Sequence, residues 1–151
     1  MHILKRRQGF TLLEILIVMA LIAILIGIVV VALNPARQFA SARNSTRYAH
    51  LNTVMSAISS NMAENRGTFV CTSGAIPATS TLMSSTGGYN IAPCLVTNFI
   101  SAMPVDPSAS GAQWTSVTDY ASGYAISRGA DGRITVDAPS VELGSTISLT
   151  R

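Results

Sequence analysis

Phe10-Thr11-Leu12-Leu13-Glu14-Ile15-Leu16-Ile17-Val18-Met19, running on to Leu33 without another polar or charged residue, decides how this chain is read. The uninterrupted apolar part, Ile15 to Leu33, is long enough to cross a bilayer as a helix, which takes roughly 20 residues. It also outruns the ~7–15 residue apolar region of a secretory signal. Only 11% of the 151 residues are charged while 48% are hydrophobic. That charge fraction is under half the ~25% usual in soluble domains, and the apolar excess is concentrated in this one stretch.

The formal charge of +3 and sequence pI of 9.2 come from the residues just upstream. Lys5, Arg6 and Arg7 precede the apolar run, and without them arginines and acids are equal in number. The pI therefore gives no support to a nucleic-acid-binding surface, and contact with nucleic acid is left open. The basic cluster indicates topology instead. Basic residues directly before an apolar helix stay cytoplasmic, so the C-terminal bulk faces outward.

Four zones follow: 1–9, a short basic leader; 10–35, the apolar helix; 36–65, an amphipathic helix; and 66–151, a globular remainder. In the third zone Tyr48, Leu51, Met55, Ile58 and Met62 recur every three or four residues and form one helical stripe. Arg37, Arg43, Arg47, Asn52 and Glu64 are the polar complement. The two helical zones read as one long helix with a weak joint between Gly27 and Pro35. Gly27 disfavours helix, Ile28 to Val31 are β-branched, and Pro35 lacks a donor and costs about 3 kcal/mol in a helix interior. The alternative is a membrane helix that ends here, followed by a separate helix capped by Asn34 with Pro35 in its first turn.

In the last zone Arg66-Gly67 ends the helix, and Cys71 to Cys94 reads as a long Ser/Thr/Gly/Pro-rich loop. Two cysteines in an outward-facing segment favour a Cys71–Cys94 disulfide, worth roughly 3.5 kcal/mol by loop entropy. Two buried free thiols are the alternative. Met103 to Pro107 is a turn segment. Gly123–Ser127 and Arg133–Asp137 form a hairpin around Gly129-Ala130-Asp131-Gly132, and Ser145–Thr150 is a final strand. So few residues make a modest core, and the sheet must pack on the amphipathic helix.

Lys5-Arg6-Arg7-Gln8-Gly9-Phe10-Thr11-Leu12-Leu13-Glu14 resembles the processing site of type IV prepilins and type II secretion pseudopilins. The resemblance is specific over residues 5–33 and looser beyond, where Met103–Pro107, Tyr124–Ile126 and Asp131–Val136 are similar to the family's proline turn and C-terminal sheet. It implies an α+β, type IV pilin-like fold: a long N-terminal helix, half membrane-spanning and half amphipathic, packed on a small antiparallel sheet. It also implies that a prepilin peptidase cuts between Gly9 and Phe10 and N-methylates the Phe10 amine. Gly9, without a Cβ, suits an extended backbone entering the peptidase. Glu14 then neutralises the Phe10 amine of a neighbouring subunit during assembly. A lone acid in a membrane helix otherwise costs roughly 2.5–3.5 kcal/mol on insertion scales.

The partners so implied are further subunits in a homopolymer, the prepilin peptidase, an inner-membrane assembly platform, and the membrane before assembly. The expected location is the inner membrane as a single-pass precursor with its N-terminus cytoplasmic, then an extracellular pilus. Gly27 and Pro35 are expected to mark a segment that loses helical hydrogen bonds as subunits pack.

An enzyme is not expected. The histidines are His2 and His50, with His50 read as a solvated or interfacial helix residue, and no catalytic set, phosphate loop or metal-ligand spacing stands out. No cofactor is called for. Asp106, Asp119 and Asp131 lack the alternation of a calcium loop and read as turn residues. Ala40-Ser41-Ala42 matches a signal-cleavage pattern but lies seven residues past an over-long apolar run. Between pilus subunit and secretion pseudopilin, the Ser/Thr-rich loop and the cysteine pair lean toward the pilus.

Overall fold

A computed structural model describes residues 9–151. The expected basic leader, with His2, Lys5, Arg6 and Arg7, lies outside the described residues up to Gly9. The chain divides into two units, the first ending at Gln38 and the second comprising Phe39–Arg151. Helix α1 spans Leu12–Leu33 and α2 spans Pro35–Glu64. None of the α1 residues is buried.

The break between the helices is confined to Asn34, which adopts φ 43° and ψ 76°. Proline disfavours the α conformation in the residue before it, and asparagine tolerates the left-handed region. Asn34 closes α1 and also opens α2: its carbonyl accepts from Arg37 N at 3.1 Å, and its side-chain Oδ1 accepts from the same N–H at 3.4 Å. Pro35 is then the first helical residue, where a missing N–H costs nothing. Gly27, by contrast, sits inside unbroken α1. A single helical glycine costs only ~1 kcal/mol, too little to open a helix whose neighbours remain bonded. The predicted joint is thus narrower than Gly27–Pro35 and lies at its C-terminal edge.

In the second unit α2 turns Ala40, Asn44, Arg47, Leu51, Val54, Met55, Ile58 and Asn61 inward. This corrects the predicted stripe. Tyr48 is half-exposed, and the buried face continues N-terminally through three polar or small positions, including the fully buried Arg47. Beyond α2, Arg66 and Gly67 have positive φ, and Gly67 N donates to Met62 O at 2.8 Å.

The sheet has five strands: β1 Thr81–Ser84, β2 Gln113–Ser116, β3 Asp119–Arg128, β4 Ile134–Asp137 and β5 Ser148–Thr150. All pairings are antiparallel, in the order β1-β3-β4-β5, with β2 on the first part of β3. The predicted β3–β4 hairpin is present, closed by Gly129 N to Arg133 O at 2.8 Å. The segment from Cys71 to Cys94 is not simply a loop: it contributes β1 and, with Ala92–Leu95, the start of short helix α3. The final strand is shorter than Ser145–Thr150.

Alternation along β3 sends Tyr120, Ser122, Tyr124 and Ile126 inward. They meet Leu51, Val54 and Ile58 of α2, Met83, Ile91, Leu95, Ile134 and Val136 in one core. Cys71 and Cys94 form a disulfide with an S–S distance of 2.02 Å. Buried Asn61 holds that region to α2, accepting from Val70 N at 3.0 Å and donating to Val70 O at 3.1 Å.

A second tie is ionic. Arg47 donates to both oxygens of Asp106, at 2.7 and 3.0 Å, and both side chains are fully buried. Arg47 also donates to Ser108 Oγ at 2.6 Å and to Glu142 at 3.0 Å, and Arg43 reaches Glu142 at 2.6 Å. Asp106 receives Ser108 N and Ala109 N as well, each at 2.9 Å. The loop lies close on β3 at Gly123 (φ 79°), where a Cβ would come within 2.9 Å of Asp106 Cβ. Burial pushes the Asp106 carboxyl up, but the Arg47 guanidinium and the two backbone N–H groups outweigh it and hold it low. Arg43 and Arg47 pull Glu142 down to about 2.

Asp106→Ala would strand the Arg47 cation in the core and is expected to cost about 3–5 kcal/mol in urea denaturation. Asp106→Leu combined with Arg47→Met should cost clearly less. Both carboxylates have depressed folded pKa values, so their stabilisation is complete above the ordinary carboxylate range. It should drain away as pH falls from about 4.5 toward 2, with Glu142→Gln flattening that decline.

Candidate functional site

The predicted processing residues lie at the start of α1. Thr11 is extended, at φ −81° and ψ 152°, and its Oγ1 accepts the Glu14 N–H at 3.2 Å. Thr-x-x-Glu is the sequence form of a capping box, and the threonine half of it is made here. The cap sets where the helix begins. Ile15 N donates to Thr11 O at 3.3 Å, while Gly9, Phe10 and Thr11 remain outside the helix. The Gly9–Phe10 bond therefore sits in non-helical, exposed chain. Nothing lies within 4 Å of where a Gly9 Cβ would be, and Phe10 is 79% exposed. A peptidase that needs an extended substrate meets no helix to unwind. Thr11 was not singled out from the sequence as a cap, although the Thr11/Glu14 spacing carries that signal.

Glu14 occupies the first turn of α1, where a carboxylate complements the positive end of the helix dipole. It is one turn from Phe10, so on cleavage an acid and a new amine would both stand at the same helix end. Downstream, Leu12–Leu33 is the one described helix long and apolar enough to cross a membrane.

The other sequence candidates lie in the second unit. His50 is not simply solvated: its Nδ1 lies 2.8 Å from Tyr124 Oη, with the rings edge-on at 5.8 Å. Burial lowers its pKa, against the opposing pull of Asp106. Asp106 belongs to the buried ion pair, Asp119 opens β3, and Asp131 accepts Arg133 N at 3.1 Å in the β3–β4 turn. Asp106 and Asp131 do shape turns, but the ion pair of Asp106 was not anticipated. Among the described residues no group of three or more His, Cys, Asp or Glu side chains is placed to hold a metal. Ala40-Ser41-Ala42 lies within α2, with Ala40 buried.

An exposed apolar helix with a first-turn glutamate thus follows a non-helical Gly-Phe bond at the start of the described residues. Residues 4–30 match the family model for the prokaryotic N-terminal methylation motif, the prepilin-type cleavage and methylation signature. No curated protein and no solved structure matches the chain.

Gly9→Val should leave the leader attached, because a branched side chain is placed at the scissile bond while the helix cap is untouched. Cells expressing it are expected to show only the longer form on a gel. The wild-type product should begin at Phe10 and carry one added methyl by mass spectrometry.

Proposed function

We propose that this chain is a structural subunit of a type IV pilus filament and has no enzymatic activity. A prepilin peptidase cuts it between Gly9 and Phe10 and methylates Phe10. An inner-membrane platform then draws the subunit from the bilayer into a homopolymer built on α1. The observation that carries this reading is the methylation motif at residues 4–30 leading into a helix with no buried residue. Such a helix needs lipid around it before assembly and other copies of itself afterwards. On this reading Glu14 pairs with the Phe10 amine of the neighbouring subunit, which removes the cost of a lone acid among apolar helices.

The alternative is a pseudopilin of a type II secretion system, whose N-terminal chemistry would be the same. The Cys71–Cys94 disulfide and the Ser/Thr-rich segment it encloses favour the exposed surface fibre for adhesion, motility or DNA uptake. Shearing filaments from cells with and without the gene, followed by mass spectrometry, tests the choice. Recovery of the mature chain from surface fibres supports the pilus. Fibres unchanged on deletion and lacking the chain, with a loss of protein secretion, would support the pseudopilin.

Glu14→Ala leaves the scissile bond and the Thr11 cap in place. It should be processed normally yet fall at least about tenfold in filament yield, as loss of a pairing worth roughly 1.4 kcal/mol or more would give. Wild-type filament yield from this variant would exclude the pairing.

A further inference from the structure

Apart from α1, few large apolar side chains are exposed. In the second unit they are Phe39, Tyr48, Val70, Leu82 and Leu143. Phe39 and Leu143 both flank the ion-pair cluster at the start of α2. Phe39 is one helical turn before Arg43, and Leu143 directly follows Glu142.

Leu143 is unusual in two ways. It has φ 61°, a conformation favoured by glycine and asparagine and disfavoured for a leucine, and its side chain is half-exposed. The preceding residue is firmly held. The Glu142 carboxylate receives Arg43 Nε at 2.7 Å and Arg47 Nη1 at 3.0 Å. Its backbone O and N bond the Asn44 side chain at 2.8 and 3.2 Å. A leucine at this loop tip thus adds backbone strain and exposed apolar surface, and neither helps the isolated chain to fold. Strain of this kind, held in place by its surroundings, points to a contact outside the chain.

The covalent chain limits what that contact can be. Phe39 is the fifth residue of α2, so it lies only about 6 Å along that helix from Pro35. Leu33, the end of the apolar span, is two residues before Pro35, at ~3.8 Å per step. Whatever the dihedral angles at Asn34, Phe39 stays within roughly 15 Å of the end of the span. The polar layer on each side of the hydrocarbon is itself about 5–7 Å thick.

Resting on the reading of the chain as a membrane-anchored precursor, we propose that Phe39 and Leu143 form a lipid contact. They insert at the glycerol and headgroup level of the bilayer crossed by α1. The ion-pair cluster holds Leu143 out as an apolar knob, and Phe39 supplies the second anchor. The contact seats the globular unit on the membrane until the subunit is extracted.

The test uses the mature full-length chain in phospholipid vesicles containing a phospholipid with a photoactivatable group at glycerol depth. Adducts are mapped by mass spectrometry. Labelling is expected on α1, on the Phe39 segment and on the loop carrying Leu143. Leu143→Asn suits the left-handed backbone and should keep or raise the melting temperature. It should also lower loop labelling by at least about fivefold, with α1 labelling unchanged. Phe39→Gln should act likewise on its own segment. Labelled α1 with an unlabelled loop overturns the proposal and leaves the membrane anchor standing, whereas no labelling anywhere overturns both. Adducts that join the loop to a second copy of the chain in place of lipid overturn it in favour of a subunit interface.

Discussion

Helix α1 carries an apolar surface that its own chain does not cover. From Leu12 to Leu33 no residue is buried, so nearly all that surface requires an outside partner. Hydrophobic burial is the dominant favourable term in folding and association, and here it is left unspent within the chain. A bilayer and other apolar helices are the kinds of partner that can satisfy it. The backbone imposes a parallel requirement: inside hydrocarbon every N–H and C=O must be bonded internally, which a helix achieves. The Thr11 cap and the Asn34 terminus therefore matter as much as the apolar content. They set where the self-satisfied backbone begins and ends.

The second unit solves a different problem, how to stay folded on its own while attached to such a helix. Its core is one cluster in which the inward face of α2 meets β3, β4 and the segment around α3. Two polar ties supplement that core at opposite ends of the α2 contact. Asn61 serves the disulfide-bonded region, and Arg47 serves the loops at Asp106 and Glu142. A buried arginine is costly to desolvate, and it is tolerated here because Asp106, Ser108, Asn44 and Glu142 all accept from it. The neighbouring glycine, Gly123, lets the Asp106 loop approach β3 closely enough to complete the pair.

Much of this was legible in the residues, and what was missed has identifiable causes. The apolar run, the second helix and the β3–β4 hairpin follow from periodicity and turn chemistry, which are local, and the α+β class is what the resemblance implies. β1 was missed because Thr81-Leu82-Met83-Ser84 lies among serines, threonines and glycines, and only pairing with β3 makes it a strand. β2 escaped for the same reason. The helix stripe is displaced from the predicted one because polar residues on α2 are not all exposed. Arg47 and Asn44 are polar yet buried, since their partners are distant in sequence: Asp106 for Arg47, and Glu142 for both.

At Gly9, Phe10 and Glu14 the local sequence by itself determined the motif: a small residue, an aromatic residue and one acid at fixed spacing at the start of an apolar helix. Those features act through covalent spacing and helix pitch, which need no distant contact. The sequence left a break capped by Asn34 as one of two readings, and the folded chain adopts it; the tertiary structure alone decided that Arg47 belongs to the core and that Leu143 is held outward in a strained turn. Each of these depends on competition between groups far apart in the chain or on small differences in backbone energy. A local pattern cannot rank such alternatives. Packing and hydrogen bonding of the folded chain do.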